Sequence, residues 1–470
     1  MTAASGRAAA ASVQFGRMER RGLLLGLSGA QLALLGAAAF VLLAAVRGAG
    51  ATGLVVSAPV WGLLVAAGTV SVRGRSVPQW APLLASWQSR HLARQHRASS
   101  IHASGAPLVL ELPGLTGGLR LVDSPELGGV LVVDRRGGTL TAVARLRASG
   151  LLLDDEATGE HKAATWGRVL AGLCQQPSVV RVQVLTRIGP GGLTGARRWW
   201  REHCLTDQTG PAAALATLLD DTLGGAFRRE HLLAVAIRTP RGRGDGHAGA
   251  VASFSAVAAA LDGAGVGLDG WVDRTGLAGV LRRAYDPHAA SAAEDLTPAL
   301  RGPTGVIEDW ARLRTDTAWH VTYWVAEWPR TPVDASFLQP LLVGAVGTRT
   351  LSLIAEPVPA GAALRQIRRA RAEHRADAAQ RERIGQVEDR SVQAEVADLD
   401  RREAELVAGH GDLRFTGLLT VTAPDEVALD AACRTVEADA ARAMCDLRRL
   451  VGQQGAAHLA ATVPLARSVQ

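Results

Sequence analysis

Side chains that could perform chemistry are few and scattered in this sequence. A phosphate-binding P-loop requires a glycine-rich turn followed by Lys-Ser or Lys-Thr, but the one lysine, Lys162, lies between His161 and Ala163. The sequence contains no HExxH motif and no His/Cys cluster at zinc spacing, and its four cysteines lack redox spacing. We therefore expect no catalytic centre, no cofactor and no metal, and interpret the chain as a non-enzyme.

Positive charge is carried almost entirely by arginine, with a net charge of +7 and a pI near 10.1. The surplus is concentrated around an apolar N-terminal region, where anionic lipid is a sufficient explanation. Direct nucleic-acid binding is therefore not expected. The densest basic-aromatic cluster is Arg197–Arg201, with the sequence RRWWR. It could stack on bases or on guanidinium partners, or form an amphipathic helix covering a sheet, which we favour.

Two uncharged apolar runs, Gly22–Val46 and Thr52–Val72, dominate the N-terminal region. Each is long enough, at about 1.5 Å per residue, to cross a hydrocarbon core of roughly 30 Å. The intervening Arg47–Ala51 leaves room only for a tight turn. The two runs therefore predict a transmembrane hairpin, with both ends on one side of the membrane.

Arginines flank the two outer ends of this hairpin, whereas only Arg47 lies in its turn. By the positive-inside rule, we expect a two-span protein of the plasma membrane with both termini in the cytoplasm. Trp80 and Trp87 follow closely, together with basic residues, as in an interfacial helix. The residues predicted at the membrane interface are Arg20, Arg21, Arg73, Arg75, Trp80 and Trp87.

Residues 107–360 combine β-type apolar runs with helical periodicity. Strands are predicted at Val179–Thr186, His231–Arg238 and Thr350–Pro357, and an alanine-rich helix at Ala248–Leu261. Because strand, helix and strand recur, the pattern indicates split β-α-β units of ferredoxin-like type. The predicted fold class is membrane-anchored α+β: the two-helix hairpin, then cytoplasmic ferredoxin-like units that carry a long charged helical segment.

That charged segment occupies residues 361–408, where opposite charges recur at helical spacing, as in Asp398 and Arg402. We expect one or two long solvated helices that project from a sheet and form a contact arm. The arginine-rich half is the better candidate for the contact, with Arg368, Arg369 and Arg371 as the predicted partner-binding residues. Beyond the arm, Phe415–Ala423 predicts a strand, and Asp425 is a plausible N-cap for a helix extending over Val427–Leu450.

The predicted division therefore has six parts: a cytoplasmic N-terminus (1–21), the hairpin (22–72, with spans 22–46 and 52–72), a juxtamembrane basic helix and linker (73–106), an α+β region (107–360), the charged arm (361–408) and a C-terminal strand–helix unit (409–470).

Two stretches resemble components of conjugation systems. Phe15–Arg17 with Glu19–Gly22 is similar to the start of the PrgI-type two-span membrane proteins, especially actinobacterial forms that carry a cytoplasmic region. The C-terminal part resembles the end of the N-terminal domain of conjugative type IV secretion ATPases. The residues that carry this second similarity are Glu405–Val407, Gly409-His410, Gly417–Ala423, Leu447–Leu450, Gln453-Gln454 and Val463–Leu465.

The resemblance implies a structural inner-membrane subunit of a type IV secretion-like translocator. Its partners would be the lipid bilayer, a separate hexameric secretion ATPase and other membrane subunits, with self-association also possible. An alternative is a type VII secretion component of the EccE kind, which also combines two N-terminal spans with a cytoplasmic domain.

Overall fold

The structure is a computed structural model that describes residues 28–72, 75–99, 109–115, 117–147, 156–190, 194–204, 210–222, 227–239, 246–288, 302–329, 331, 333–334, 336–343, 347–384, 390–408 and 411–469. The chain divides into two compact units, and the boundary lies between His96 and Arg97. The predicted class is confirmed at the level of an α+β protein with a long apolar N-terminal helix and a large antiparallel sheet.

The N-terminal unit is built on helix α1, Gly29–Thr69, whose 41 residues are almost uniformly apolar. Ser28 caps its first turn through a reciprocal capping box with Gln31. Among the described helices, α1 is the one that is long and apolar enough to cross a membrane. The first six residues of the predicted span 22–46 lie outside the described residues.

Helix α1 is interrupted in its middle. Ala49 leaves the helical region, and Gly50 has a φ of 58°, a conformation that glycine adopts without steric cost. The Gln31 Nε2 amide donates to the carbonyl of Gly68, 37 residues further along the chain, at 2.9 Å. An uninterrupted helix would separate these groups by about 55 Å. The interruption therefore allows the two ends of α1 to meet, and it falls within residues 47–51.

The remainder of this unit is a short β-ribbon and one helix. Strand β1 (Ser71–Val72) pairs with β2 (Arg75–Ser76), and α2 follows over Val77–Leu92. Pro78 occupies the first turn of α2, where its missing N–H costs nothing.

The second unit, the sheet unit, contains the other strands: β3 Arg97–Ser99, β4 Val109–Leu110, β5 Leu119–Ser124, β6 Gly129–Asp134, β7 Thr139–Leu146, β8 Val179–Pro190, β9 Phe227–Arg238, β10 Leu268–Trp271, β11 Gly305–Glu308, β12 Leu313–Arg314, β13 Trp319–Glu327, β14 Thr348–Val358, β15 Asp412–Ala423 and β16 Asp446–Arg449. Its helices are α3 Glu156–Cys174, α4 Thr194–His203, α5 Pro211–Thr222, α6 Gly246–Gly263, α7 Arg274–Tyr285, α8 Gln339–Leu342, α9 Ala360–Ile384, α10 Arg390–Val407, α11 Glu426–Arg442 and α12 Gln454–Thr462.

All of these strands join one sheet in the order β3-β11-β12-β13-β15-β14-β8-β9-β7-β6-β5-β4, with β10 also paired to β7 and β16 to β13. Every described pairing is antiparallel. Two groups of four strands share one arrangement. The order β10-β7-β9-β8 in the first group corresponds to β16-β13-β15-β14 in the second. In each group, a helix connects two strands that are not neighbours, and a third strand lies between them: α3, for example, connects β7 to β8, and β9 lies between these two.

Apolar side chains cover both faces of this sheet. In β9, Leu233, Val235 and Ile237 pack with α3 and α6 on one face. The alternate residues Leu232, Ala234 and Ala236 pack with α7 and α12 on the other. The near-continuous apolar run of this strand follows from its burial on both faces.

Buried polar side chains from both groups of strands form hydrogen bonds around helix α12. The Gln454 amide binds both the N–H (2.9 Å) and the C=O (3.2 Å) of Thr322. At the other end, the Gln183 amide donates to the Ala460 carbonyl (2.9 Å) and accepts from the Ala466 N–H (2.7 Å). Because these donors and acceptors are fully buried and paired, they fix the position of α12 more narrowly than apolar packing would.

An ion cluster holds α7 and α12 to the same face. Arg187 donates to Glu230 at 3.1 Å and to the Thr462 carbonyl at 2.6 Å, and Arg283 donates to Glu230 at 2.6 Å. Burial would raise the pKa of Glu230, but the two arginine charges outweigh it and lower that pKa to about 2. Burial lowers the pKa of Arg187 to about 10. Both partners remain charged at neutral pH.

Two histidines lie fully buried beside this cluster. The His320 ring accepts from Thr422 at Nδ1 (2.8 Å) and donates from Nε2 to Thr315 (2.9 Å), because the Thr315 hydroxyl hydrogen is used on the Tyr285 carbonyl at 2.6 Å. The His458 ring centroid lies 4.3 Å from that of His320. Burial lowers the pKa of His320 to about 3 and that of His458 well below its usual range.

One element departs from the sequence-based prediction. The helix expected over Val427–Leu450 ends at Arg442, and Asp446–Arg449 instead forms β16 against β13. Met444, at a φ of 54°, turns the chain between the two. Amphipathic periodicity through residue 450 hid this change, because the chain around the turn has no glycine or proline to mark it.

We expect Glu230→Gln to destabilise the sheet unit, because it leaves the buried Arg187 and the partly buried Arg283 without their shared counter-ion. The cost should be about 3–5 kcal/mol, the range for breaking a buried ion pair. Chemical denaturation of the detergent-solubilised chain measures it. Asp269→Asn, which removes an exposed pair with Arg147, is the matched control and should cost no more than about 1 kcal/mol. Equal effects of the two variants would contradict the structural role of the cluster.

Stability should also fall as the pH drops below about 6.5, the ordinary histidine pKa. Below that value the unfolded chain binds protons that folded His320 and His458 do not accept. The linkage therefore lowers the free energy of unfolding until the pH reaches the folded-state pKa values. Each histidine should contribute a loss of about 1.4 kcal/mol between pH 7.5 and 5.5. His458→Leu should remove one such contribution, as measured by chemical denaturation at the two pH values.

Candidate functional site

The predicted contact arm is a pair of helices, α9 and α10, inserted between β14 and β15. We call this pair the charged hairpin. Ile367 and Ala370 of α9 pack against Leu399 of α10, with Leu406 at the edge of the cluster. This small apolar seam leaves most of both helices in contact with solvent, as expected for a sparse stripe of apolar residues.

The three predicted partner-binding arginines have different environments. Arg371 faces α10, where it pairs with Asp400 and with Glu403, the latter at 2.5 Å. Arg369 is about four-fifths exposed and pairs with Glu373 one turn along α9 at 2.9 Å. Arg368 is exposed and forms no ion pair with any described residue. Arg371 therefore holds the hairpin together, whereas Arg368 and Arg369 face outward.

The helical pair expected between Asp398 and Arg402 does not form. Asp398 pairs with Arg401 instead, three residues along. The Arg402 guanidinium reaches the first residue of β15, donating to both carboxylate oxygens of Asp412 at 3.2 and 2.6 Å. A bidentate pair with a mostly buried carboxylate outcompetes an exposed pair within a helix. This contact fixes the base of the hairpin to the sheet.

Other exposed arginines extend the outward surface. Arg365, Arg368 and Arg375 fall on one side of α9 at helical spacing, and all three are exposed. They form a basic row beside Arg369. A long, mixed-charge helix pair whose basic row has no ion pair with another described residue, except that of Arg369 with Glu373, is suited to binding an acidic protein surface.

Among the residues predicted at the membrane interface, Arg20, Arg21 and Arg73 lie outside the described residues. Arg75 lies over the ring of Trp80, with 5.8 Å between the guanidinium carbon and the ring centroid. Trp87, about two turns beyond Trp80 on α2, stacks on His91 with 5.0 Å between the ring centroids. The structure thus brings Arg75 and Trp80 together and places Trp87 in the same unit.

The basic-aromatic cluster Arg197–Arg201 forms half of the ten-residue helix α4. Arg197 pairs with Asp220 of α5 at 2.7 Å, and Trp199 stacks on His203 within α4 at 4.8 Å. The favoured prediction was a helix that covers the sheet. In the structure α4 packs against α5 instead, and more than half of the Trp199 side chain is exposed.

Sequence reasoning missed the buried polar groups that position α12. Arg187, Glu230, His320 and His458 stand within apolar strands or in a short helix, without motif spacing. The one available signal was a charged or imidazole side chain interrupting an apolar strand, as in HLLAVAIR preceded by Glu230. Across the part of the chain that the structure describes, no group of three His, Cys, Asp or Glu side chains could hold a metal ion.

No protein-family model matches this sequence. A search of curated proteins found no significant match either.

We expect Arg371→Glu to loosen the charged hairpin, because it places a third carboxylate beside Asp400 and Glu403. Arg368→Glu should leave the hairpin intact, since Arg368 has no described partner. Hydrogen exchange of the α10 amides separates the two variants: faster exchange is expected for Arg371→Glu alone. Equal exchange in both variants would mean that the ion pairs of Arg371 do not hold α10.

Proposed function

We propose that this protein is a membrane-anchored, non-catalytic adaptor of a type IV secretion-like translocation system, and that its charged hairpin docks a separate secretion ATPase. The observation that carries the proposal is the outward basic row of α9 on a helix pair held to the sheet by few contacts. The alternative, an EccE-like component of a type VII system, differs in its partner ATPase and in its neighbouring subunits.

The membrane part of the proposal is that the two halves of α1 cross the bilayer as a hairpin. Each half, on either side of Gly50, has about 20 residues and a length of about 30 Å, which matches a hydrocarbon core. The contact between Gln31 and Gly68 supports two adjacent helices whose outer ends lie together. In this arrangement, the side-chain amide of Gln31 is satisfied by a carbonyl at the end of its neighbour.

The cytoplasmic part is that the two groups of strands are ferredoxin-like units. The connections β7-α3-β8-β9-α6-β10 and β13-α8-β14-β15-α11-β16, with their shared strand order, support two split β-α-β pairs in each unit. On this interpretation, the charged hairpin is an insertion between the second and third strands of the second unit. Such an insertion can carry a binding surface without altering the core.

The proposed partner is a hexameric ATPase, because the chain lacks a P-loop sequence and cannot power transport by that mechanism. Arg368 and Arg369 provide the contact, and their interaction with an acidic surface is screened by salt. Arg371 contributes indirectly, by keeping α9 and α10 together.

The test is co-purification from detergent-solubilised native membranes. The double variant Arg368→Glu/Arg369→Glu should reduce recovery of the conjugative-type ATPase several-fold at low salt, and less at high salt. Arg120→Glu/Arg135→Glu, two exposed arginines elsewhere on the sheet unit, is the matched control and should leave recovery unchanged. Undiminished recovery with the first variant would place the contact elsewhere. Recovery of a multi-motor ATPase with small WxG proteins would favour the type VII alternative.

A further inference from the structure

The pair α4 and α5, which we call the aromatic hairpin, leaves large apolar side chains in solvent. Trp199 is 58% exposed, Leu218 59%, Leu215 41%, and Phe227 at the start of β9 is 50% exposed. Leu215 and Leu218 share a side of α5 at a spacing of three residues. Scattered exposed apolar residues are ordinary, but a tryptophan and two leucines in one insertion, with a phenylalanine at the start of the strand that follows it, indicate an interaction surface.

The position of this hairpin in the sheet suggests what it meets. The aromatic hairpin leaves the sheet at Pro190, the end of β8, and the charged hairpin leaves it after Val358, the end of β14. Because β8 and β14 are antiparallel neighbours, the two hairpins emerge at opposite ends. β8 alone has 12 residues, so these ends are about 40 Å apart.

The register across the sheet relates the aromatic hairpin to the first described strand of the sheet unit, β3. Val321, Val421, Arg349 and Ile188 form one level of paired residues. Pro190 lies two residues after Ile188 in β8, and Trp319 lies two residues before Val321 in β13. Because β8 and β13 run in opposite directions, Pro190 and Trp319 are at the same level of the sheet. Successive pairings lead from Trp319 through Arg314 and Ile307 to Arg97. Arg97, the first residue after the N-terminal unit, is therefore paired at the level where the aromatic hairpin emerges.

The composition of this surface fits lipid. Tryptophan and arginine are the side chains that favour the headgroup region, and leucine and phenylalanine enter the acyl boundary beneath it. The described side chains of α4, α5 and the first residues of β9 include four arginines, namely Arg197, Arg201, Arg228 and Arg229, against the exposed acids Glu202, Asp220 and Asp221. A surface tethered beside a bilayer also needs little intrinsic affinity, because the anchor supplies a high local concentration.

We propose that the aromatic hairpin is a second membrane contact. It inserts Trp199, Leu215 and Leu218, together with the neighbouring Phe227 of β9, into the interface of an anionic bilayer. The inference rests on the proposed membrane anchoring by α1. It goes beyond that anchoring by orienting the sheet unit: the end bearing the aromatic hairpin faces lipid, and the charged hairpin at the other end faces the cytoplasm and its partner.

The experiment uses the full chain in vesicles of phosphatidylcholine mixed with phosphatidylglycerol. A benzophenone amino acid replaces Leu218, and irradiation is followed by mass spectrometry of the peptides. The matched control places the same amino acid at Val396, an exposed aliphatic residue of α10. A third variant carries it at Leu63, on the exposed side of α1. We expect phospholipid adducts at Leu218 and Leu63, and none at Val396.

Charge provides an independent readout. Arg201→Glu should lower the lipid adduct at position 218 by at least about fivefold, the factor expected per basic side chain at an anionic surface. It should have no effect at position 63. Vesicles of phosphatidylcholine alone should also lower the adduct at position 218.

The remaining outcomes separate the two proposals. Adducts at Leu63 without adducts at Leu218 would overturn the lipid-facing hairpin while leaving the anchor intact. Absence of adducts at both positions would overturn the anchor itself. A cross-link from position 218 to a second copy of the chain, or equal lipid adducts at Val396, would also contradict the proposal, the first because the surface would then be a self-association site.

Discussion

The antiparallel pairing of β8 with β14 is the constraint on which the sheet unit depends. Seven consecutive residue pairs, from Arg349 with Ile188 to Ala355 with Val182, join the two groups of strands into one sheet. Without this ladder, each group would expose an edge strand, with unpaired N–H and C=O groups that invite aggregation. Joining the two edges removes that hazard and creates a shared face on which α12 lies.

The buried hydrogen bonds around α12 depend on this pairing of β8 with β14. Gln183 of β8 donates to both Ser352 of β14 and the backbone of α12. One side-chain amide therefore fixes the positions of β8, β14 and α12 relative to one another. The Gly455 N–H, in the first turn of α12, donates to the Glu308 carboxylate at 3.1 Å. This carboxylate takes the place of a capping side chain, because N–H groups in the first turn have no acceptor within the helix. Gly114, at a φ of 80°, approaches the Gly455 backbone so closely that a Cβ would clash. Polar satisfaction and close backbone approach together admit one placement of this helix.

Much of the architecture could be predicted from local signals. Apolar alternation located most of the long strands, and Asp425 does cap α11, accepting from the Ala428 N–H at 2.8 Å. The end of an element is harder to predict where no glycine or proline marks it, and for this reason the sequence pattern predicted helix through the residues of β16. Strand order was beyond reach, because non-local pairing leaves no trace in the periodicity of one strand. At the candidate site, the sequence located the arm but not the roles within it. Whether Arg371 or Arg368 faces outward depends on the rotation of α9 against α10. Among the described residues, the apolar seam of Ile367, Ala370, Leu399 and Leu406 sets that rotation.

The two helical hairpins show how such a sheet can accommodate insertions at little cost in stability. Each is inserted between adjacent antiparallel strands, β8 and β9 or β14 and β15, whose pairing already holds the ends of the insertion together. The entropic cost of closing a loop grows only slowly with the length of the loop. Long insertions between paired strands therefore need few stabilising contacts of their own. Their composition is then free to serve an interaction instead of the core. Because the junction sets β8 antiparallel to β14, an aromatic insertion in one group and a charged insertion in the other necessarily emerge at opposite ends. The polarity of the whole unit thus follows from one strand pairing.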